Sequence, residues 1–390
     1  MGLPLLALTG CNSDDSKDSK LSPAEPIILS EAESRAAESV NDFGLEFFAK
    51  KSAECDGVNK NLTVSPLSVS MLAAVVANAC DEAEGAKVAE ALGCNDLAAL
   101  NSYSAKLVAK LSTIDPASTF YSANSLWYRN DMHVRDAFAT PAREYYDMEL
   151  FGRDFKNSAS VSNEISKWIS SKTKGLIDDC KPSITPTSTI AVLNAIYFKG
   201  IWTEPFDTKS TSEARFNGTA APATVDMMHN SSKYGYAQTE SGEAVTLEFG
   251  NGAFEAVLVL PVNGKALTAD ELSEILDSGF SEASEVNLSF PKFEYRERNL
   301  DVSSILAGTG IDLNNISILE EQTSSDCEAM QDSYIRFNEE GAEMAAVTYL
   351  GDTVAAPGNV IDMDFDRPFY FFLRERSTET ILLAGRINNL

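Results

Sequence analysis

Apolar positions fall into two regimes along the chain. Over the first half they recur mainly every three or four residues, and from residue 189 onward mainly in continuous or alternating runs. Ser30-x-x-Glu33 is a capping box, and Ala36, Ala37, Val40, Phe43, Phe47 and Phe48 follow on one helical face, ahead of a loop holding Cys55. At 61–79, N-L-T-V-S-P-L-S-V-S-M-L-A-A-V-V-A-N-A opens with a strand-like triplet, then sets Ser65 as N-cap with Pro66 first in the helix. That helix is apolar on nearly all sides, so it belongs in the interior under other layers. Shorter helices over 83–113, a strand at 120–128, a helix near 135–147 and an amphipathic helix over 161–174 come next, the last with Ile165, Trp168 and Ile169 inward.

The second regime opens with T-I-A-V-L-N-A-I-Y-F-K-G at 189–200, whose single internal polar residue is Asn194. A lone amide inside a central strand needs partners, and Ser65 and Ser68 at the start of the buried helix are chemically suited to supply them. A-V-L-V-L at 256–260 reads as a strand covered on both faces. Helices are expected after the Thr268-x-x-Glu271 cap and around 299–307, and residues 369–387 form a hairpin turning at Ser377 and Thr378. Helices mainly first and strands later predict an α+β fold with mixed β-sheets and a single domain over 28–390.

One stretch fits neither regime: E-E-G-A-E-M-A-A-V-T-Y-L-G-D-T-V-A-A-P at 339–357. Read with period two, one face carries Ala342, Met344, Ala346, Thr348 and Leu350, without charge. The other carries Glu343, Ala345, Val347, Tyr349 and Gly351. Gly341, Gly351, Pro357 and Gly358 punctuate it as they would a loop. The segment is able to be either loop or strand.

Composition narrows the chemistry. Thirty-one Lys plus Arg against 58 Asp plus Glu give a net charge of −27, so nucleic acid and anionic membrane surfaces repel the chain. Leu8-Thr9-Gly10-Cys11 after a short apolar run resembles the lipobox of bacterial lipoproteins, with Cys11 as the lipidated residue. Residues 1–11 then act as a signal remnant and 12–27 as a polar tether, which confines membrane contact to a lipid anchor and places the protein at a bacterial cell envelope. The five other cysteines are widely spaced, and buried free thiols are the expected state. Two histidines, neither in ligand spacing, argue against a metal site, and no cofactor is called for. Without a G-x-S-x-G motif, a Ser-His-Asp hydrolase has little support.

The motifs together resemble the serpin family of protease inhibitors. N-L-T-V-S-P-L-S at 61–68 resembles the family's entry to its buried second helix, and L-N-A-I-Y-F-K-G-I-W at 193–202 the strand ending at its sheet-opening tryptophan, here Trp202. F-P-K-F-E-Y at 290–295, D-R-P-F-Y-F-F at 366–372 and I-L-L-A-G-R-I at 381–387 are similar to further family stretches. The resemblance implies about eight to nine helices and a reactive-centre loop at about 342–360, with its hinge at Glu339, Glu340, Gly341, Ala342, Glu343, Met344, Ala345, Ala346 and Val347.

It also implies a monomeric suicide-substrate inhibitor. A serine protease acylates itself on the loop, and the cut loop enters the large sheet as an extra strand, dragging the protease away before the ester is hydrolysed. Met344 and Val347 stand where alanine-sized residues are usual, and Gln331 stands where a histidine is usual, which removes a pH switch there. Gln331 is expected close to Ser65, Ser68 and Asn194. Lys292 and Glu339 fall where the family pairs charges near the top of the sheet. Counted forward from the hinge, the reactive bond is Ala355-Ala356; counted back from Pro368-Phe369 it is Pro357-Gly358. Proline is a poor acyl-side residue and the inserted length is set from the hinge, so the forward count is preferred, with Val354 as the alternative acyl-side residue. Small residues there imply an elastase-like target. The alternative is a non-inhibitory serpin, acting as a carrier or cut as a substrate.

Overall fold

The computed structural model describes residues 21–390 apart from 57, 81, 176, 178–181, 183, 282–284, 312–317, 322–326 and 343–359. Cys11, the hinge residues Glu343, Met344, Ala345, Ala346 and Val347, and the reactive-bond candidates Val354, Ala355 and Ala356 lie outside the described residues.

Eight α-helices and sixteen strands are formed among the described residues, and the strands make three sheets. The large mixed sheet runs in the order Phe293–Asp301, Cys327–Asn338, Gly341–Ala342, Ile190–Ile201, Ser118–Arg129, Met148–Arg153. A second six-stranded sheet runs Leu62–Val64, Thr380–Ile387, Phe369–Glu375, Phe254–Pro261, Gly242–Phe249, Gly235–Gln238. A four-stranded sheet, Val360–Asp364, Glu285–Pro291, Pro222–Ser232, Ser212–Asn217, completes the set. The α+β expectation is met, helices leading and strands following.

Local sequence explains most elements. Ser30 and Glu33 cap the first helix reciprocally, the Ser30 N–H donating to Glu33 Oε2 at 2.7 Å and the Glu33 N–H to Ser30 Oγ at 3.3 Å. The helix runs over Glu31–Asp56, so Cys55 sits in its last turn and not in the expected loop. Tertiary contacts prolong it: the Arg386 guanidinium donates to the Ser52 carbonyl at 3.0 Å, and the Ser52 hydroxyl meets the Tyr370 hydroxyl at 3.3 Å. Helix Pro66–Ala79 begins as its sequence requires, with Ser65 Oγ accepting the Ser68 N–H, and is buried almost throughout. Phe254–Pro261 is buried at every position, as a continuous apolar run demands. Cys55, Cys80 and Cys94 are free thiols.

Where the three sheets converge, aromatic rings make the core. Phe290, Phe293, Phe337, Phe365, Phe369 and Phe371 meet edge-on or tilted, with centroids 5.5–6.2 Å apart. A smaller cluster lies on the other face of the large sheet, where Trp168, Ile165 and Ile169 of helix Ser158–Lys172 cover Trp127, Ala191, Leu193 and Ala195. The chain docks on this body ahead of residue 28: the Ala24 N–H reaches the Asn251 carbonyl at 3.1 Å, and Ile27 is buried.

Leu258, fully buried in the middle of the second sheet, tests the core directly. Leu258→Ala is expected to lower unfolding stability by about 2–5 kcal/mol in urea titrations, with unchanged slope.

Candidate functional site

The site lies between the two central strands of the large sheet. Ile190–Ile201 and Cys327–Asn338 are parallel, and they pair directly only from Ile190 with Cys327 up to Ile196 with Ser333. Above that the two strands part. Gly341 and Ala342 occupy the upper opening, antiparallel to both neighbours: Ala342 lies opposite Phe337 and Gly200, and Gly341 opposite Asn338 and Ile201. Gly341 and Ala342 of the loop-or-strand segment are therefore strand already.

Gly341 is obligatory here. Its φ is +155°, and a Cβ at this position would come within 2.0 Å of the Gly200 carbonyl oxygen. Ala342 is 1 % exposed, so the uncharged face of the segment does point into the core at its first member.

The turn into this wedge is held at each carbonyl. Trp202 Nε1 donates to Asn338 O at 2.9 Å, the Phe206 N–H to Glu339 O at 2.8 Å, and the Trp202 N–H to Glu340 O at 2.8 Å. Asn338 Oδ1 accepts from the N–H groups of Glu340 and Gly341 at 3.0 and 3.1 Å. Beneath them the Trp202 ring stacks on Phe249 and Phe337, at centroid distances of 4.2 and 5.7 Å. The Glu339 carboxylate meets Lys292 Nζ at 3.1 Å and accepts from Thr211 Oγ1 at 2.9 Å. Burial pushes this carboxyl up, but its own amide, Lys292 and Thr211 together outweigh it and hold it below the ordinary range.

Lower down, where the central strands are zipped, a polar network crosses the sheet. The Ser65 N–H donates to Gln331 Oε1 at 2.7 Å, and Gln331 Nε2 lies 3.4 Å from both Ser65 O and Asn194 Oδ1. Asn194 Nδ2 donates to Asn124 Oδ1 at 2.8 Å, and Asn124 Nδ2 to Tyr146 O at 3.1 Å. Ser65 and Ser68 share a hydroxyl contact at 3.0 Å, and Ser333 Oγ donates to Thr63 O at 3.0 Å. The structure thus brings Ser65, Ser68, Asn194 and Gln331 together, but Asn194 does not bond either serine. Gln331 stands between, because Asn194 points to Asn124 on the neighbouring strand. Glutamine accepts and donates at once, so one side chain serves both neighbours.

This closed half has weak points. Parallel pairing is slightly less stable per residue than antiparallel. A cavity of about 20 Å³ remains among Ser68, Asn124, Asn194, Met330 and Gln331. Asp332, buried in the same strand, bonds the Asn299 N–H through Oδ1 at 2.6 Å, while Oδ2 has no hydrogen-bond partner among the described residues.

The chain that carries this sheet is similar to known proteins over most of its length. Residues 38–390 match the family model Serpin, described as serine protease inhibitor. The chain belongs to the serpin family. An uncharacterised serpin-like protein of Thermococcus kodakarensis is 26 % identical, the alignment covering 93 % of this chain and 88 % of that one. Iripin-5 of Ixodes ricinus is 30 % identical over 70 % of this chain and 74 % of its own length. Among solved structures, the thermophilic serpin tengpin in its native state superposes with a TM-score of 0.80 at 23 % identity, covering 95 % of this chain and 97 % of that one. Human thyroxine-binding globulin, solved in complex with thyroxine, gives 0.78 at 22 % identity, over 91 % of this chain and 99 % of that one. Serpin architecture therefore holds across the chain, and membership ties it to protease inhibition in general.

The residues that pattern alone overlooked are Asn124, Thr211 and Asn338. Asn338 carried a signal, standing directly before Glu339-Glu340-Gly341; Asn124 and Thr211 carried none, since their roles come from neighbours remote in sequence.

Two outcomes test the site. Gln331→Leu strands the buried Ser65 N–H without its acceptor and is expected to destabilise the native serpin by about 1–3 kcal/mol in urea unfolding. Glu339 has a lowered carboxyl, so its contribution is present above its unfolded value of about 4.3 and is lost as pH falls through the lower folded value. Lys292→Met should move that loss to higher pH, seen in tryptophan fluorescence during acid titration.

Proposed function

We propose that this serpin is a suicide-substrate inhibitor of elastase-like serine proteases, trapping the acyl-enzyme by inserting its cut loop between the two central strands. The observation that carries the reading is the register of Gly341 and Ala342, paired on both sides at the head of the lane. Continued downward, the same register brings Met344 between Ile335 and Phe198, both core residues, so the larger side chain meets an apolar slot. Ala346 falls between Ser333 and Ile196, and Thr348 between Gln331 and Asn194, pairs that bond each other in the closed sheet.

Insertion is downhill because it exchanges a parallel pairing with defects for two antiparallel ones. The native state is held back by the barrier to parting the strands, a kinetic trap that cleavage releases. With a bond at Ala355-Ala356, about 14 residues enter and carry the protease roughly 45 Å, at about 3.3 Å each. Deformation then disables the protease's oxyanion hole and triad. The serpin supplies no catalytic group. Small Ala and Val side chains at 354–356 suit a shallow elastase-type pocket, and no Lys or Arg lies between Arg336 and Arg367 for a trypsin-like enzyme. Lipidation at Cys11 would hold the inhibitor at a bacterial envelope, where a membrane-impermeant label on intact cells tests its exposure.

Mixing the serpin with pancreatic or neutrophil elastase should give a band at the summed mass on a denaturing gel. Complete cleavage with the protease still active would sink the proposal and favour a carrier or substrate. The mass of the released C-terminal peptide should place the cut after Ala355 or Val354. Because Ala342 is already seated, a charge there would disturb the uncut protein; Ala346→Arg, on the same face of the segment, should convert inhibitor into substrate.

A further inference from the structure

A second tie crosses the base of the large sheet. Strand Ser118–Arg129 ends in a turn, and residues 318–321 run beside the chain that follows it. The Arg135 N–H donates to Ile318 O at 3.0 Å, the Glu320 N–H to His133 O at 2.9 Å, and Val134 bridges Leu319. Glu321 closes the contact with both carboxylate oxygens. Oε2 accepts the His133 backbone N–H at 2.9 Å, and Oε1 lies 2.6 Å from His133 Nδ1.

Topology gives this tie its position. Strand Ser118–Arg129 flanks Ile190–Ile201 on one side, whereas residues 318–321 lead into Cys327–Asn338 on the other. The tie therefore spans the line along which the strands must part by about 4.8 Å to admit another. The charged groups facing the His133 ring are carboxylates, Glu321 in contact and Glu320 beyond it. In its own turn Arg129 and Asp131 are engaged with each other at 2.6 Å, and the next helix opens after Arg135 with Asp136.

We propose that the His133–Glu321 contact is a pH-sensitive latch across the base of the sheet, closed in mild acid and slackened in mild alkali, which slows strand insertion. The proposal rests on the insertion reading above. Hydrogen bonding to Glu321 raises the imidazole above its ordinary value, so the charged contact is fully present below about 6.5 and is lost as pH rises through the raised value. Glu321 is lowered by the same contact, so the carboxylate stays charged through the histidine range. Gln331 does not titrate between these limits, which leaves the only pH response of this kind at the base and not at the centre, among the described residues bridging the parting line.

The test uses the full-length native serpin, warmed at about pH 5.5 and about pH 8.5, either side of the histidine range. Conversion to the loop-inserted form is followed by its resistance to unfolding on urea gels. Wild type should convert about threefold more slowly in acid, the scale expected of one exposed ion pair. His133→Gln and Glu321→Gln should each bring the ratio to about one. In parallel, hydrogen exchange corrected for intrinsic rates should show the Arg135 and Glu320 amides better protected in acid in wild type alone. A pH ratio that survives both substitutions overturns the latch. So does altered exchange with unchanged conversion, or no conversion at any pH. Failure of the inhibitor reading registers separately, as the absence of a covalent elastase complex.

Discussion

Two parallel strands that are neighbours for only part of their length set the terms for this structure. Ile190–Ile201 and Cys327–Asn338 pair at the base, and above Ser333 they are kept apart by Gly341 and Ala342. A sheet in this condition is neither finished nor open. Each central strand is paired along its outer edge, but across the opening the described pairing is a two-residue wedge, and an unpaired buried N–H or C=O is expensive. Much of the surrounding structure holds that wedge without letting it travel further.

The restraints differ above and below. At the top they are polar and directional: three carbonyls of the 338–340 turn are held by Trp202 and Phe206, and Glu339 is fixed to Lys292 and Thr211. At the centre a single side chain, Gln331, ties the sheet to the N-terminus of the buried helix. On the far face helix Ser158–Lys172 lies over Ala191, Leu193 and Ala195, where the proposed inserted strand would pass beneath it. Each restraint is weak beside the pairing gained by a complete strand. In the proposed mechanism they act together as the barrier that a conformational trap requires.

The buried core plays the opposite part. The rings around Phe290, Phe337 and Phe369 interlock the three sheets and are not divided by the parting line. On the proposed insertion, the pairing that is exchanged lies along the central strands and away from this ring cluster. Movement is therefore possible without unfolding.

What was legible in the residues themselves is local. The Ser65 cap with Pro66, the all-apolar helix behind it, the fully buried Phe254–Pro261 strand and the alternation from Ala342 onward follow from periodicity and capping, because each is decided within a few neighbouring residues. The limit showed at Cys55, kept helical by Arg386 and Tyr370 from the other end of the chain. It showed again at Asn194, whose partner is Asn124 on the adjacent strand and not a serine. Only the tertiary structure decided that Gly341 and Ala342 are already paired while the central strands below them remain closed. That outcome depends on how far two strands distant in sequence can approach each other, a quantity that no window of residues contains.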